Sequence, residues 1–208
     1  MTVLLLGPTQ NPYWERAIEF LTAYGVLLLI SIVILARWAP DSLESQLQLL
    51  HPRHQSASEH RLRLLLYVSI IAWLALIPVE VFRLQLLPYL PALVIAFGAL
   101  LFFSGYVIVN IALYQNQHPE APSSDSSRPL VNSGLYAHIR HPYSLGLMLM
   151  LAGISLWLDS LLNFLLLPVL FAMMIARIKA EEKLLLEQIP EYKNYTTKVP
   201  YCLIPYLW

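Results

Sequence analysis

Apolar residues gather in five long runs separated by polar segments. The first, FLTAYGVLLLISIVILA (Phe20 to Ala36), holds no charge. The second runs from Leu64 to about Phe82, with Pro78 and Glu80 near its end. The third lies inside Leu84 to Tyr114, also free of charge, and Pro88 and Pro91 predict a helix start near Ala92. The fourth is YSLGLMLMLAGISLWL (Tyr143 to Leu158) and the fifth SLLNFLLLPVLFAMMIA (Ser160 to Ala176), with only Asp159 between them. A bilayer is crossed by about 20 apolar residues as a helix. Periodicity alone does not separate a buried strand from a buried helix here. Length does, because a backbone facing lipid must satisfy its own hydrogen bonds. The pattern predicts an all-α integral membrane fold of about five transmembrane helices. The last two form a tight hairpin, followed by a cytoplasmic C-terminal helix.

Composition agrees. The chain is 58% apolar and only 12% charged, against about 25% charged in soluble domains. Thirteen basic and thirteen acidic residues balance, so no overall charge draws the protein to nucleic acid. One cysteine, Cys202, excludes an internal disulfide framework and a cysteine-rich metal centre. The opening MTVLLLGPTQ has no basic n-region, so no cleaved signal peptide is expected and the first span directs insertion itself. A single membrane-embedded unit over 1–208 is expected, with N-terminal helices in 1–115.

Orientation follows from Lys and Arg. Eleven of them flank or occupy the two long loops and the C-terminal segment, while Arg16 and Arg83 alone fall on the other side. The positive-inside rule then predicts an N-terminus outside and a C-terminus in the cytoplasm. HPRHQSASEHRLR (His51 to Arg63) reads as a solvated loop near anionic headgroups rather than a metal site. QNQHPEAPSSDSSRPLVN (Gln115 to Asn132) reads as a flexible Pro- and Ser-rich loop. Glu80 and Arg83, three residues apart, are expected to pair at the outer interface. Asn110 and Asn163 are expected to join helices.

Two segments carry candidate chemistry. GLYAHIRHPYSLG (134–146) crowds two histidines, an arginine and two tyrosines against the fourth run. Pro142 suits a first helical turn and His141 before it favours an extended backbone, so a helix is predicted to start at Pro142. Its free first-turn amides favour an anionic group such as a carboxylate. Gly134 and Gly146 permit close approach of a backbone or a ligand. The plainer alternative is a charged and aromatic membrane anchor. The second segment is RIKAEEKLLLEQIPEYKNYTTKVPYCLIP (177–205). Arg177 and Glu181 share a helical face at the depth where an amphiphile sits, in the order less favourable for simple helix support. Leu184 to Leu186 and Ile189 predict that this helix continues, half buried. Tyr192 and Tyr195 read as a lid or, taken alone, as interfacial anchors.

Taken together, the two segments resemble the isoprenylcysteine carboxyl methyltransferases. The matching residues are Leu130, Val131, Gly134, Tyr136, Arg140-His141-Pro142 and Gly146, then Arg177, Glu181-Glu182, Glu191-Tyr192, Tyr195, Val199-Pro200 and Pro205. The resemblance implies a cofactor-binding part in 116–208 that takes S-adenosylmethionine. Leu130, Val131, Tyr136, Arg140, His141, Pro142, Tyr143, Ser144, Glu181 and Glu182 would bind it. Arg177 and Glu181 would act in catalysis, Arg177 facing a lipophilic or lipidated methyl acceptor. Membrane lipid is the other expected partner; no metal or nucleic acid is expected. This chain departs from the family where Ser144 stands at a usual tyrosine, with Tyr143 displaced by one, and where Gln188-Ile189-Pro190 replaces Phe-Gly.

A carboxylate acceptor, such as an isoprenylcysteine, is already anionic and needs only orientation by a forked guanidinium. An amine acceptor must lose a proton, and Glu181 or Glu182 is then the base. Alignment of the partners can lower such a barrier by about 7–11 kcal/mol. Two other readings stand beside this: an NADPH-dependent membrane reductase of the sterol type, and a non-enzymatic membrane scaffold.

Overall fold

A computed structural model describes Met1 and residues 14–40, 57–115 and 131–205. Helix α1 covers Glu15–Trp38. Helix α2 covers Ala57–Val79 and passes into a π-helical turn, Glu80–Leu84. Pro78 in its last turn lacks the N–H that an α-helical ladder needs there. Gln85, left-handed at φ 45°, closes the turn by donating to the Glu80 carbonyl. Helix α3 covers Ala92–Gln115 and begins directly after Pro91, whose carbonyl accepts from Val94 and Ile95. A 3-10 turn, Gly134–Ala137, leads to α4, Pro142–Trp157. Helix α5 covers Leu161–Gln188 and α6 covers Tyr192–Lys198. The described residues form helices and no strand, and the protein is a multi-pass membrane protein.

Four helices (α1, α2 with its π turn, α3 and α5) are long and apolar enough to cross a bilayer. The fourth apolar run is the exception. Its helix has 16 residues, about 24 Å at 1.5 Å per residue, against a hydrocarbon core of about 30 Å. Pro142 fixes its start, and Asp159, with φ 62°, turns the chain at once into α5. The predicted hairpin is therefore present, with one arm shorter than a full span. The other arm is long: α5 runs unbroken past Ala176, and residues 177–188 form a polar extension beyond the apolar stretch.

The short α4 is held by α3 at backbone contact. A Cβ built on Gly146 would stand 2.7 Å from the Gly105 carbonyl oxygen, and one on Gly105 would stand 2.5 Å from that of Gly146. Gly98 and Gly153 repeat the contact seven residues along each helix. Gly146 thus admits a neighbouring helix, one of its two predicted roles. Phe20, Phe102 and Trp157 fill the centre, with ring centroids 5.2 to 5.7 Å apart. Apolar side chains such as Leu29, Val33, Leu93 and Val169 cover the outside, where lipid is the solvent.

Asn163 joins helices as expected. Its Nδ2 donates to the Trp73 carbonyl at 2.5 Å, and Trp73 Nε1 donates to the Asn163 carbonyl at 2.9 Å. Asn110 instead donates to Tyr106 one turn back in its own helix. The expected Glu80–Arg83 pair does not form. Glu80 is buried, with no hydrogen-bond partner at its Oε2, whereas Arg83 is exposed. The π turn rotates the two residues onto different faces. The His51 and His54 part of the histidine loop and most of the Gln115–Asn132 loop lie outside the described residues.

Candidate active site

The start of α4 and the polar extension of α5 meet at one end of the bundle. Along α5, Met174 and Ile178 face inward, and Glu182 follows on the same row one turn later. Its Oε1 accepts from Arg140 Nε at 2.6 Å, lies 3.3 Å from His141 Nε2, and accepts from the Tyr192 hydroxyl at 3.4 Å. Arg140 reaches further. Its Nη1 donates to the carbonyls of Val199 at 2.9 Å and Pro200 at 2.8 Å. Backbone bonds complete the clasp: Arg140 N–H to Tyr201 C=O at 3.0 Å, and His141 N–H to Cys202 C=O at 2.9 Å. One arginine therefore ties together the mouth of α4, the extension of α5 and the tail after α6.

The electrostatics follow from this packing. Burial alone would raise the Glu182 carboxyl pKa. The hydrogen bonds and charges of His141 and Arg140 outweigh it and bring the carboxyl down to about 2. Burial pushes the Cys202 thiol up to about 11, helped by the neighbouring Glu182 charge. Burial likewise pushes the Tyr195 hydroxyl up to about 12. That hydroxyl donates to the Tyr136 carbonyl at 2.7 Å and so pins α6 to the 3-10 turn. Tyr192 and Tyr195 are buried, with Val199, against Leu185 and Ile189. They form the packed core of a terminal cap, not an interfacial anchor.

The remaining predicted residues sit around this hub. Pro142 and Ser144 are buried, and Tyr143 packs towards Leu35, Ala39, Val109 and Leu113 of α1 and α3. The first helical bond of α4 is Leu145 N–H to His141 C=O, so the first-turn amides stand beside the Glu182 cluster. Val131 is half-buried ahead of the 3-10 turn. Leu130 lies outside the described residues. Arg177 and Glu181 occupy the adjacent, more open face of α5, with Arg177 Nη2 3.6 Å from Glu181 Oε2. The sequence paired these two as the site's ions. The structure gives the tighter network to Glu182, one residue on. The docking of Tyr201 and Cys202 had no motif to reveal it, because it runs through backbone atoms.

Two kinds of occupant differ in how they fit this donor set. His141, Glu182 and Cys202 place one ligand atom each within 4.8 Å of one another, as a metal ion requires. Arg140 already holds the carboxylate, however, and the raised thiol pKa works against a metal thiolate. An amino-acid-bearing sulfonium fits better. Helix-mouth amides suit its carboxylate, and Glu181 on the more open face of α5 suits its positive groups.

Residues 93–192, from the first turn of α3 to the first residue of α6, match the model of the phospholipid methyltransferase family. These are membrane methyltransferases that use S-adenosylmethionine and are related to the isoprenylcysteine carboxyl methyltransferases. No curated protein matches the chain. The match covers α3, the short α4, the long α5 and the Arg140–Glu182 contact between them. The chain is accordingly a membrane methyltransferase that takes its methyl group from S-adenosylmethionine, similar over residues 93–192 to the phospholipid methyltransferases.

Proposed function

We propose that this enzyme methylates the head group of an amphiphilic lipid, most directly the amine of an ethanolamine-type phospholipid. The observation that carries this reading is the open Arg177–Glu181 pair beside the Glu182 hub, at the point where the apolar stretch of α5 ends. A zwitterionic head group presents a phosphate and an ammonium to those two charges. Bound S-adenosylmethionine supplies a methyl carbon already activated by its sulfonium. The residues of this chain then have three tasks. The α4 mouth, with His141, Pro142, Tyr143 and Ser144, holds the donor together with Glu182, Tyr136, Val131 and Leu130. Arg140 positions Glu182 and closes the tail over it. Arg177 orients the acceptor phosphate, and Glu181 takes the proton that the ammonium nitrogen must lose.

In this reading the unit is a single domain over 1–208, with the cofactor end in 116–208. The N-terminus lies outside, and the donor enters from the cytoplasm while the lipid enters between helices. The excess of Lys and Arg at the donor end supports that orientation. A second acceptor keeps support from Arg177 alone: the carboxylate of a prenylated cysteine, which needs a guanidinium fork and no base. The family match favours the phospholipid and lends nothing to an NADPH reductase.

The test is methyl transfer by purified protein in nanodiscs. Donor labelled on the methyl group is supplied with ethanolamine phospholipid in one arm and a farnesylated cysteine analogue in the other. Label in the phospholipid, lost in Glu181→Gln, is expected. Label only in the prenylated carboxylate would replace the first acceptor by the second. Failure of the protein to bind S-adenosylhomocysteine would remove the site.

A further inference from the structure

The segment 134–146 is held at both of its ends by one helix, α3. At the far end Gly105 of α3 meets Gly146 at backbone contact. At the near end stands Gln115, the last residue of α3, where the sequence pattern placed the start of a loop. Its side chain lies against the 3-10 turn Gly134–Ala137. A turn this short makes few bonds of its own, and its first N–H groups need outside acceptors. Ser133, a residue type suited to capping, precedes the turn but makes no side-chain cap bond. The Leu135 N–H donates instead to Gln115 Oε1 at 2.8 Å, across 20 residues of chain.

Gly134 makes room for this cap. Its φ is 60°, a backbone conformation that glycine adopts without strain. A Cβ built on it would stand 2.1 Å from Gln115 Nε2 and 2.4 Å from Gln115 Cδ, so the carboxamide fills the space that a side chain at 134 would need. The close approach that Gly134 permits is thus made by Gln115. From Leu135 the bonds pass on towards α4. Its carbonyl accepts from the N–H of His138 at 3.0 Å and from that of Ile139 at 3.1 Å. Ile139 is buried, and Arg140 follows it directly. One residue therefore links the end of α3, through its N–H, to the approach to Arg140 and His141, through its carbonyl. Across the same turn, the Tyr195 hydroxyl donates to the Tyr136 carbonyl.

We propose that Gln115 is a positioning residue for the S-adenosylmethionine site: it caps the 3-10 turn from the end of a membrane helix and so sets where Tyr136, Arg140 and His141 stand. The proposal rests on the reading that these three residues hold the donor. Gln115 acts through Leu135 and not through contact with a reactant. Without its oxygen the half-buried Leu135 N–H is left unpaired, and the turn shifts to find another acceptor. That shift displaces the donor-binding side chains. Arg177 and Glu181 stand on α5 and keep their place. Gln115 therefore governs donor affinity and leaves the chemical step at saturating donor untouched.

S-adenosylhomocysteine binding and methyl transfer to ethanolamine phospholipid, both by the full-length protein in nanodiscs, test this. Gln115→Met keeps the bulk and loses the oxygen. Its Kd for S-adenosylhomocysteine and its KM for S-adenosylmethionine are expected to rise about tenfold, with kcat near wild type. Gln115→Glu keeps an acceptor oxygen in place and is expected to restore donor binding, a rescue that a space-filling role does not predict. Gln115→Asn withdraws the oxygen by one methylene and reads the same loss if Gln115→Met does not fold. His141→Ala reports on the donor site itself and should weaken binding. Wild-type binding in Gln115→Met and Gln115→Asn, or Gln115→Glu as weak as Gln115→Met, or a fall in kcat without a rise in donor KM, overturns the proposal while His141→Ala still binds weakly. Wild-type binding in His141→Ala instead removes the donor-site reading, and the proposal with it.

Discussion

Arg140 Nε lies 2.6 Å from Glu182 Oε1, across 42 residues of chain. The same guanidinium caps the carbonyls of Val199 and Pro200. The ion pair is thus also the fastener of the C-terminal tail. Its side chains are 12% and 19% exposed, so water screens it far less than a surface pair.

Breaking that fastener should cost binding and order together. Arg140→Ala leaves Glu182 without its main partner and two carbonyls without a donor. Loss of one partner from a buried pair costs about 3–5 kcal/mol. S-adenosylhomocysteine binding should weaken by at least tenfold, and limited proteolysis should release the tail after α6. Arg140→Lys should rescue little, because an ammonium cannot reproduce the fork. Full binding in Arg140→Ala would contradict the arrangement.

Glu182 sets an acid limit on stability. Its carboxyl titrates near 2 in the folded protein against an ordinary 4.5. A depressed carboxyl stabilises the fold above the ordinary pKa, and that contribution fades as pH falls from about 4.5 towards about 2. The linked free energy is at most about 3 kcal/mol. Chemical unfolding in detergent at stepped pH should show the wild type losing stability over this window. Glu182→Gln should start lower and fall less. Parallel curves would exclude the linkage.

The close contact of α3 and α4 predicts a different kind of sensitivity. Replacing Gly105 or Gly146 with leucine forces the helices apart against backbone atoms at both positions. Overpacking of this kind costs about 1–3 kcal/mol, and the displaced α4 carries Arg140 and His141 with it. Both variants should show a lower thermal midpoint and weaker donor binding. Gly25→Leu, where a Cβ meets nothing within 4 Å, is the control and should behave as wild type.

These contacts show what the chain discloses before folding. Apolar runs and prolines located the helices, since Pro91 and Pro142 set starts by local backbone rules that need no partner. The meeting of Arg140 with the acidic segment was legible only as a resemblance in residue order. The choice of Glu182 over Glu181 as hub was not legible. It depends on which face of α5 turns inward, and a segment apolar all round hides that phase until the row Met174, Ile178, Glu182 is seen. Tail docking was hidden for a similar reason: backbone bonds from residues 140 and 141 to 201 and 202 leave no side-chain signature. Glu80 misled because Arg83 lies at helical spacing, whereas the π turn changes the spacing.

Cys202 gives a chemical readout of the whole hub. It is 1% exposed, and its thiol is pushed up to about 11 by burial and then by Glu182, with Arg140 opposing. Thiolate is the reactive form, so two pKa units cut alkylation about 100-fold at neutral pH before access is counted. A maleimide should therefore label Cys202 slowly in the folded protein and quickly after denaturation. Two variants then separate charge from opening. Glu182→Gln removes the negative neighbour and should speed labelling on both grounds. Arg140→Gln removes the positive neighbour, which slows labelling through charge but speeds it by freeing the tail. If the clasp dominates, both variants accelerate labelling. If the field at the thiol dominates, Glu182→Gln accelerates it and Arg140→Gln retards it. The geometry favours the clasp, because the Arg140 side chain holds the tail at the Val199 and Pro200 carbonyls, while its charge is only a partial counterweight at the thiol. Equal, wild-type rates in both variants would show that Cys202 does not sit against this ion pair.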